Sequence, residues 1–241
     1  MSGHSKWSTI KREKGVKDAK RGAVFTRIGN MIAIAARAGA DPNMNSTLAM
    51  AIEKAKQANM PAANIQRAID RAADKNAAVL EEIVYEGMGP GGVGIIIETA
   101  TDNKNRTFPD VKNALNKNGG RIADAGSISF KFTRKGVINV AETGEDALMT
   151  ILDSGAEDAI EEDDEIVVYT EQKELAKVRT ALMDAGLTVM SAELQYVPNA
   201  TIEISDAEVA RKLIKLLDVL DEMDDVVNVH SDADVTVELS E

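Results

Sequence analysis

Cysteine is absent from these 241 residues. That excludes disulfides, thiol nucleophiles and Cys-ligated zinc, and it fits a reducing cytoplasm, the compartment expected here. Aromatic residues make up only 3% of the chain, so its core must be built from Ala, Val, Ile, Leu and Met. The two histidines, His4 and His230, lie at opposite ends and define no acid–base pair or metal site. No run of 18 consecutive apolar residues occurs, so no membrane span is expected. The positive charges near the start are not followed by an apolar segment, which argues against a secretory signal.

What remains is ordinary for a globular protein: 44% hydrophobic and 28% charged residues. The distribution of charge is not ordinary. Residues 1–76 carry 14 Lys+Arg against 6 Asp+Glu, a net of +8. Residues 77–136 carry 8 against 7, and residues 137–241 carry 6 against 27, a net of −21. A basic end on an acidic body suggests that the end meets a polyanion and the body does not.

Apolar spacing divides the chain further. Val24, Ile28, Met31, Ile32 and Ala35 recur at helical intervals from residue 23. Gly39 and "DPN" (41–43) end that run, and a second helix is expected over 44–58 with Leu48, Ile52 and Ala55 inward. "NMPAANIQRAIDRAAD" (59–74) reads as a third, with Pro61 in its first turn. Then the pattern shifts to strands. "EEIVYEGMGPGGVGIIIETAT" (81–101) predicts a hairpin, followed by a helix over 108–120 and a strand over 126–132. In that strand Ile128, Phe130 and Phe132 would share one face and pack in the core.

Residues 136–198 spell β-α-β-β-α-β, the split βαβ order of ferredoxin-like domains. "ALNKNGG", "TILDSGA" and "ALMDAGL" each place a glycine where a helix should stop. The last helix is expected over 206–222, capped by Ser205 with Glu208 and striped by Val209, Leu213, Leu216, Leu217 and Leu220. The fold class expected is α+β: an N-terminal three-helix domain with a basic arm, then two ferredoxin-like α+β domains, one inserted in the other. The boundaries are 1–76 for the basic helical domain, 77–134 plus 199–241 for the discontinuous domain, and 135–198 for the acidic insertion.

Candidate chemistry is sparse. Gly87, Gly89 and Gly92 match G-x-G-x-x-G, but a dinucleotide site needs a helix after that loop, and here a strand follows. A glycine-rich hairpin is the better reading. "EDAIEEDDE" (157–165) is rich in carboxylates yet lacks the alternating ligands and central glycine of a calcium loop. No nucleophile–base pair, metal set or phosphate loop emerges, so no enzyme activity, catalytic residue, metal or cofactor is expected.

Two basic places do stand out. The first is the opening arm: Lys6, Lys11, Arg12, Lys14, Lys17, Lys20, Arg21 and Arg27, opposed only by Glu13 and Asp18. Such cations hold phosphates mainly by releasing counterions. Trp7, the only tryptophan, sits among them and either stacks on a base or anchors the arm to the first helix. The second is "TDNKNRTFPD" (101–110), at the expected start of a helix, where the dipole disfavours cations. Lys104 and Arg106 there either hold a phosphate with help from Lys117 and Arg121, or pair with Asp102 and Asp110.

"GHSKWSTIK" (3–11), "DAKRGAVFTRI" (18–28), "YEGMGPGG" (85–92), "TDNKNRT" (101–107) and "SGAEDA" (154–159) resemble, in order, the hallmarks of the YebC family. Its mitochondrial relative is a translational activator of cytochrome oxidase. The resemblance implies three domains, no catalytic residue and no cofactor. It also implies a cytoplasmic, DNA-binding transcriptional regulator. The alternative it carries is a ribosome-associated factor that binds RNA and helps elongation through proline-rich sequences. A reading from a different class is an acidic protein–protein adaptor. The partners expected are DNA or ribosomal RNA, the latter on the ribosome, with no membrane.

Overall fold

The computed structural model describes residues 18–74, 77–162 and 164–237. They divide into two compact units, one formed by Thr133–Val197 and the other by the described residues on either side of it.

The larger unit opens with three helices: α1 (Asp18–Ala35), α2 (Ser46–Gln57) and α3 (Ala62–Ala73). Their inward faces hold Ile28, Ile32, Leu48, Ala55, Ile65 and Ala68, a core of small and aliphatic side chains that lets the helices approach closely. Asn45 sets the turn into α2. Its side-chain oxygen accepts from Leu48 N, and its amide donates to the carbonyls of Ala35 and Gly39.

The sheet that follows has the order β3-β1-β2-β9. It is built from β1 (Glu81–Met88), β2 (Gly94–Thr101), β3 (Arg121–Ile122) and β9 (Val226–Ser231), all antiparallel to their neighbours. Ile95 and Ile97 point to one face, where α4 (Lys104–Lys117) supplies Val111 and Leu115. There α7 (Ala207–Asp221) supplies Leu213, Leu216, Leu217 and Leu220. At roughly 1.5–3 kcal/mol for each fully buried side chain, this layer is the main source of stability in the unit. A parallel pair, β8 (Ile202–Ile204) with β10 (Ala233–Val235), extends it.

The hairpin turn explains its glycines. Gly91 and Gly92 adopt φ of +76° and +79°, which L side chains rarely do. A Cβ on Gly87 would come within 3.0 Å of Leu115 Cδ2, so that glycine lets α4 lie close on the sheet.

The smaller unit runs β4 (Phe132–Val140), α5 (Glu145–Asp153), β5 (Asp158–Glu162), β6 (Glu165–Glu171), α6 (Leu175–Asp184) and β7 (Val189–Pro198). Its sheet order, β5-β6-β4-β7, is that of a ferredoxin-like fold. The chain is thus α+β, with N-terminal helices followed by two helix-backed antiparallel sheets.

Three local expectations are corrected. Helix α4 starts at Lys104, four residues before the expected Phe108, because Asn103 caps it and Pro109 is tolerated inside the helix. Helix α7 is capped by Asp206, not Ser205: the Asp206 carboxylate accepts from Glu208 N and Val209 N. Residues 126–131 form no strand. They make a turn and a short 3-10 helix, and Phe130 is 71% exposed while Ile128 and Phe132 are buried.

Candidate nucleic-acid interface

Lys6, Trp7, Lys11, Arg12, Lys14 and Lys17 lie outside the described residues. Of Lys20 and Arg21 only the backbone, in the first turn of α1, is described. Five other cations of the helical segment sort into two sets. Arg27 turns inward, its side chain 12% exposed. Its Nη1 donates to the carbonyl of Asp221 at 2.6 Å and to the Asp221 carboxylate at 2.8 Å. Arg71 donates to Asn30 at 3.2 Å, and Asn30 donates to the carbonyl of Ala100 on β2 at 3.4 Å. These side chains tie the helices to the sheet and the last turn of α7. Arg37, Lys56 and Arg67 face solvent, and none has a carboxylate partner among the described residues. They counted toward the +8 of the segment, but only the fold separates them from Arg27 and Arg71.

At the start of α4 the cations meet an internal anion. Arg106 Nη2 donates to both oxygens of Asp225, at 3.0 and 2.8 Å, and to Asp102 at 3.4 Å. The same Asp225 carboxylate accepts from Thr107 Oγ1 at 2.6 Å and Thr101 Oγ1 at 3.2 Å. Hydrogen bonding to Asp225, and then its charge, raise the guanidinium pKa above its ordinary value, with Asp102 and Asp110 adding to the effect. Lys104 sits 3.6 Å from Glu81 with both side chains exposed. Asp225 lies 119 residues from Arg106 in the chain, so no local pattern could reveal it.

Arg121 occupies the edge strand opposite Met88, and its Nη2 lies 3.2 Å from Met88 Sδ. Beside it the 123–131 loop is held from below by Glu86. That carboxylate accepts from the backbone N–H groups of Gly126, Ile128 and Ser129 at 2.5–3.0 Å. Burial pushes the Glu86 pKa up, but these donors outweigh it and hold the carboxyl below its ordinary value. The bonds also give the physical reason the loop is not a strand: its N–H groups are spent on a side chain rather than a neighbouring strand.

His230 pairs with Glu98 across β9 and β2 at 3.0 Å, and Asn228 donates to the same carboxylate. Among the described residues, no group of three or more His, Asp or Glu is arranged to hold a metal ion. No helix among them is long and apolar enough to cross a membrane.

Fold and charge together define a class, an α+β protein whose helical N-terminal segment is basic and whose remaining body is acidic. The comparisons place it within that class. Residues 5–75 match the family model described as TACO1/YebC protein N-terminal domain, and residues 80–233 match TACO1/YebC second and third domain. This chain belongs to the TACO1/YebC family. It is 46% identical over 246 residues to a probable transcriptional regulatory protein of Desulfotalea psychrophila, across 100% of this chain and 98% of that one. A protein of the same description from Roseiflexus castenholzii is 47% identical over 251 residues, covering 100% and 98%. The crystal structure of a conserved hypothetical protein from Aquifex aeolicus superposes with a TM-score of 0.86 at 38% identity, covering 93% of this chain and 94% of that one. The family is regulatory by the names its members carry.

Proposed function

We propose that this protein is a non-catalytic, nucleic-acid-binding regulator of gene expression acting in the cytoplasm, without metal or cofactor. In this reading the basic arm (Lys6, Trp7, Lys11, Arg12, Lys14, Lys17, Lys20 and Arg21) grips phosphates together with Arg37, Lys56 and Arg67. The observation that carries it is the sorting of cations within the helical segment. Arg27 and Arg71 are consumed in holding the fold, while Arg37, Lys56 and Arg67 are exposed with no carboxylate partner among the described residues. Arg106 serves the scaffold through Asp225 and stands outside this surface. The names of the relatives favour DNA and transcription as the setting.

Anisotropy titrations of the full chain against labelled duplex DNA at several salt concentrations test the proposal. If about six phosphates are neutralised, log K should fall against log salt with a slope of about −5. Reversing Arg37, Lys56 and Arg67 to Glu should make that slope shallower by about 2–3. Binding that ignores salt, or a triple variant with an unchanged slope, would count against it.

A further inference from the structure

The most exposed aromatic among the described residues, Phe130, stands on a loop that side chains tie down on both sides. On one side, Ser129 N donates to the buried Glu86 carboxylate at 3.0 Å, as do Gly126 N and Ile128 N. On the other, Lys131 Nζ donates to Asp232, whose side chain is 1% exposed, at 3.0 Å. Asn199 adds two more ties, from its N–H to the Lys131 carbonyl at 2.8 Å and from its amide to the Phe130 carbonyl at 3.3 Å. An apolar ring left 71% exposed costs hydrophobic free energy, and a loop held this rigidly does not let it fold away.

What surrounds the ring decides what it fits. Arg121 pairs with Met88 across β1 and β3, and cross-strand partners share a sheet face. Glu86, two residues before Met88 on the same strand, therefore lies on that face as well. The loop that carries Phe130 and the exposed Arg121 are thus anchored side by side. Arg121 has no carboxylate partner among the described residues. The rest of the loop surface is Asp124, Ala125, Gly126 and Ser127, too small and polar to bury the roughly 800 Å² per partner of a stable protein interface. One flat ring beside one guanidinium that is held only by a thioether sulfur among the described residues matches one base beside one phosphate.

We infer that Phe130 is a stacking platform for an unpaired base of single-stranded nucleic acid, with Arg121 on the adjoining phosphate. A duplex cannot offer that base face, since its bases are stacked on one another. The site rests on the nucleic-acid reading above and adds to it a second contact with a different preference, for strands, loops or ends rather than for paired helix.

The test uses the full chain, a labelled single-stranded RNA of about twelve nucleotides without self-pairing, and the duplex made from it. Phe130→Ala should weaken single-strand binding by about 5- to 150-fold, the range of one lost base stack, and change duplex binding by less than about 2-fold. Phe130→Trp should retain the single-strand affinity. Arg121→Ala should weaken single-strand binding and make its salt slope shallower by about 1. The melting temperature of Phe130→Ala should equal that of the parent, because the ring is exposed. Unchanged affinity of that variant for both probes would overturn the inference and leave the ring as a protein-docking residue. Equal losses on both probes would also overturn it. Parent protein that binds duplex but not single strand defeats this site alone, whereas parent that binds neither defeats the nucleic-acid reading itself.

Discussion

Asp225 accepts from Arg106, Thr101 and Thr107 at once, so its carboxylate closes the joint between β2, the start of α4 and the turn after α7. The value of such a hub lies in what its loss leaves behind. Asp225→Ala would leave Thr107 to its bonds with Thr101 and the Asn103 carbonyl, take from the buried Thr101 hydroxyl its acceptor and leave Arg106 with Asp102 alone, a cost of about 1–3 kcal/mol. Arg106→Ala removes a half-exposed partner and leaves Asp225 with both threonines, so its effect on stability should be smaller. Thermal melts of the two variants check the ranking. If Arg106 serves the scaffold alone, both variants should bind duplex DNA as the parent does. The local sequence supplied the choice between a phosphate and an internal acid at Arg106, and Asp102 was visible as one partner four residues away. Asp225 was not, because spacing along a chain carries no information about a carboxylate brought in from the far side of a sheet.

Helix α7 is where capping and packing can be weighed against each other. Its cap is the exposed Asp206, bonded to two backbone N–H groups that also hold the carboxyl pKa below its ordinary value. Its stripe buries Leu213, Leu216, Leu217 and Leu220 completely or nearly so. Leu216→Ala should cost about 2–5 kcal/mol, since the layer between α7 and the sheet cannot close on the gap. Asp206→Ala should lower the melting temperature by only a few degrees, roughly what one cap contributes. Denaturant melts of both variants decide it, and a cap loss as large as the leucine loss would refute the ranking. The stripe was plain in the spacing of the leucines. The cap was misplaced by one residue because Ser205 and Asp206 are both good caps, and only the backbone turn selects between them. Likewise Pro109 made α4 look shorter than it is, since a proline signals a boundary more strongly in a sequence than it enforces one in the first turns of a helix.

At the scale of the molecule, charge and topology follow the same seams. The unit formed by Thr133–Val197 carries 5 Lys+Arg against 15 Asp+Glu, a net of −10. It has its own buried layer, with Ile138, Val140, Ile166 and Val168 of the sheet and Ile151, Val178 and Leu182 of the helices. Expressed alone, residues 133–197 should melt cooperatively and show no binding to duplex DNA even at low salt, where attraction to a polyanion is greatest. Circular dichroism and anisotropy on that fragment test the two halves of the expectation separately. DNA binding by the fragment would mean that the acidic unit, and not the helical end, carries the contact.

Residue order and type alone determined the helical N-terminal segment, the β-α-β-β-α-β run and the split of charge between the two ends. These depend on periodicity and composition, which are local properties of a chain. The tertiary structure decided the roles of individual side chains. It turned Arg27 inward and left Arg37 outside, gave Arg106 to Asp225, and lifted Phe130 out of the core by spending the N–H groups of its loop on Glu86. Each of these depends on which groups meet across long stretches of chain, and a buried carboxylate claims its donors wherever they come from in the sequence.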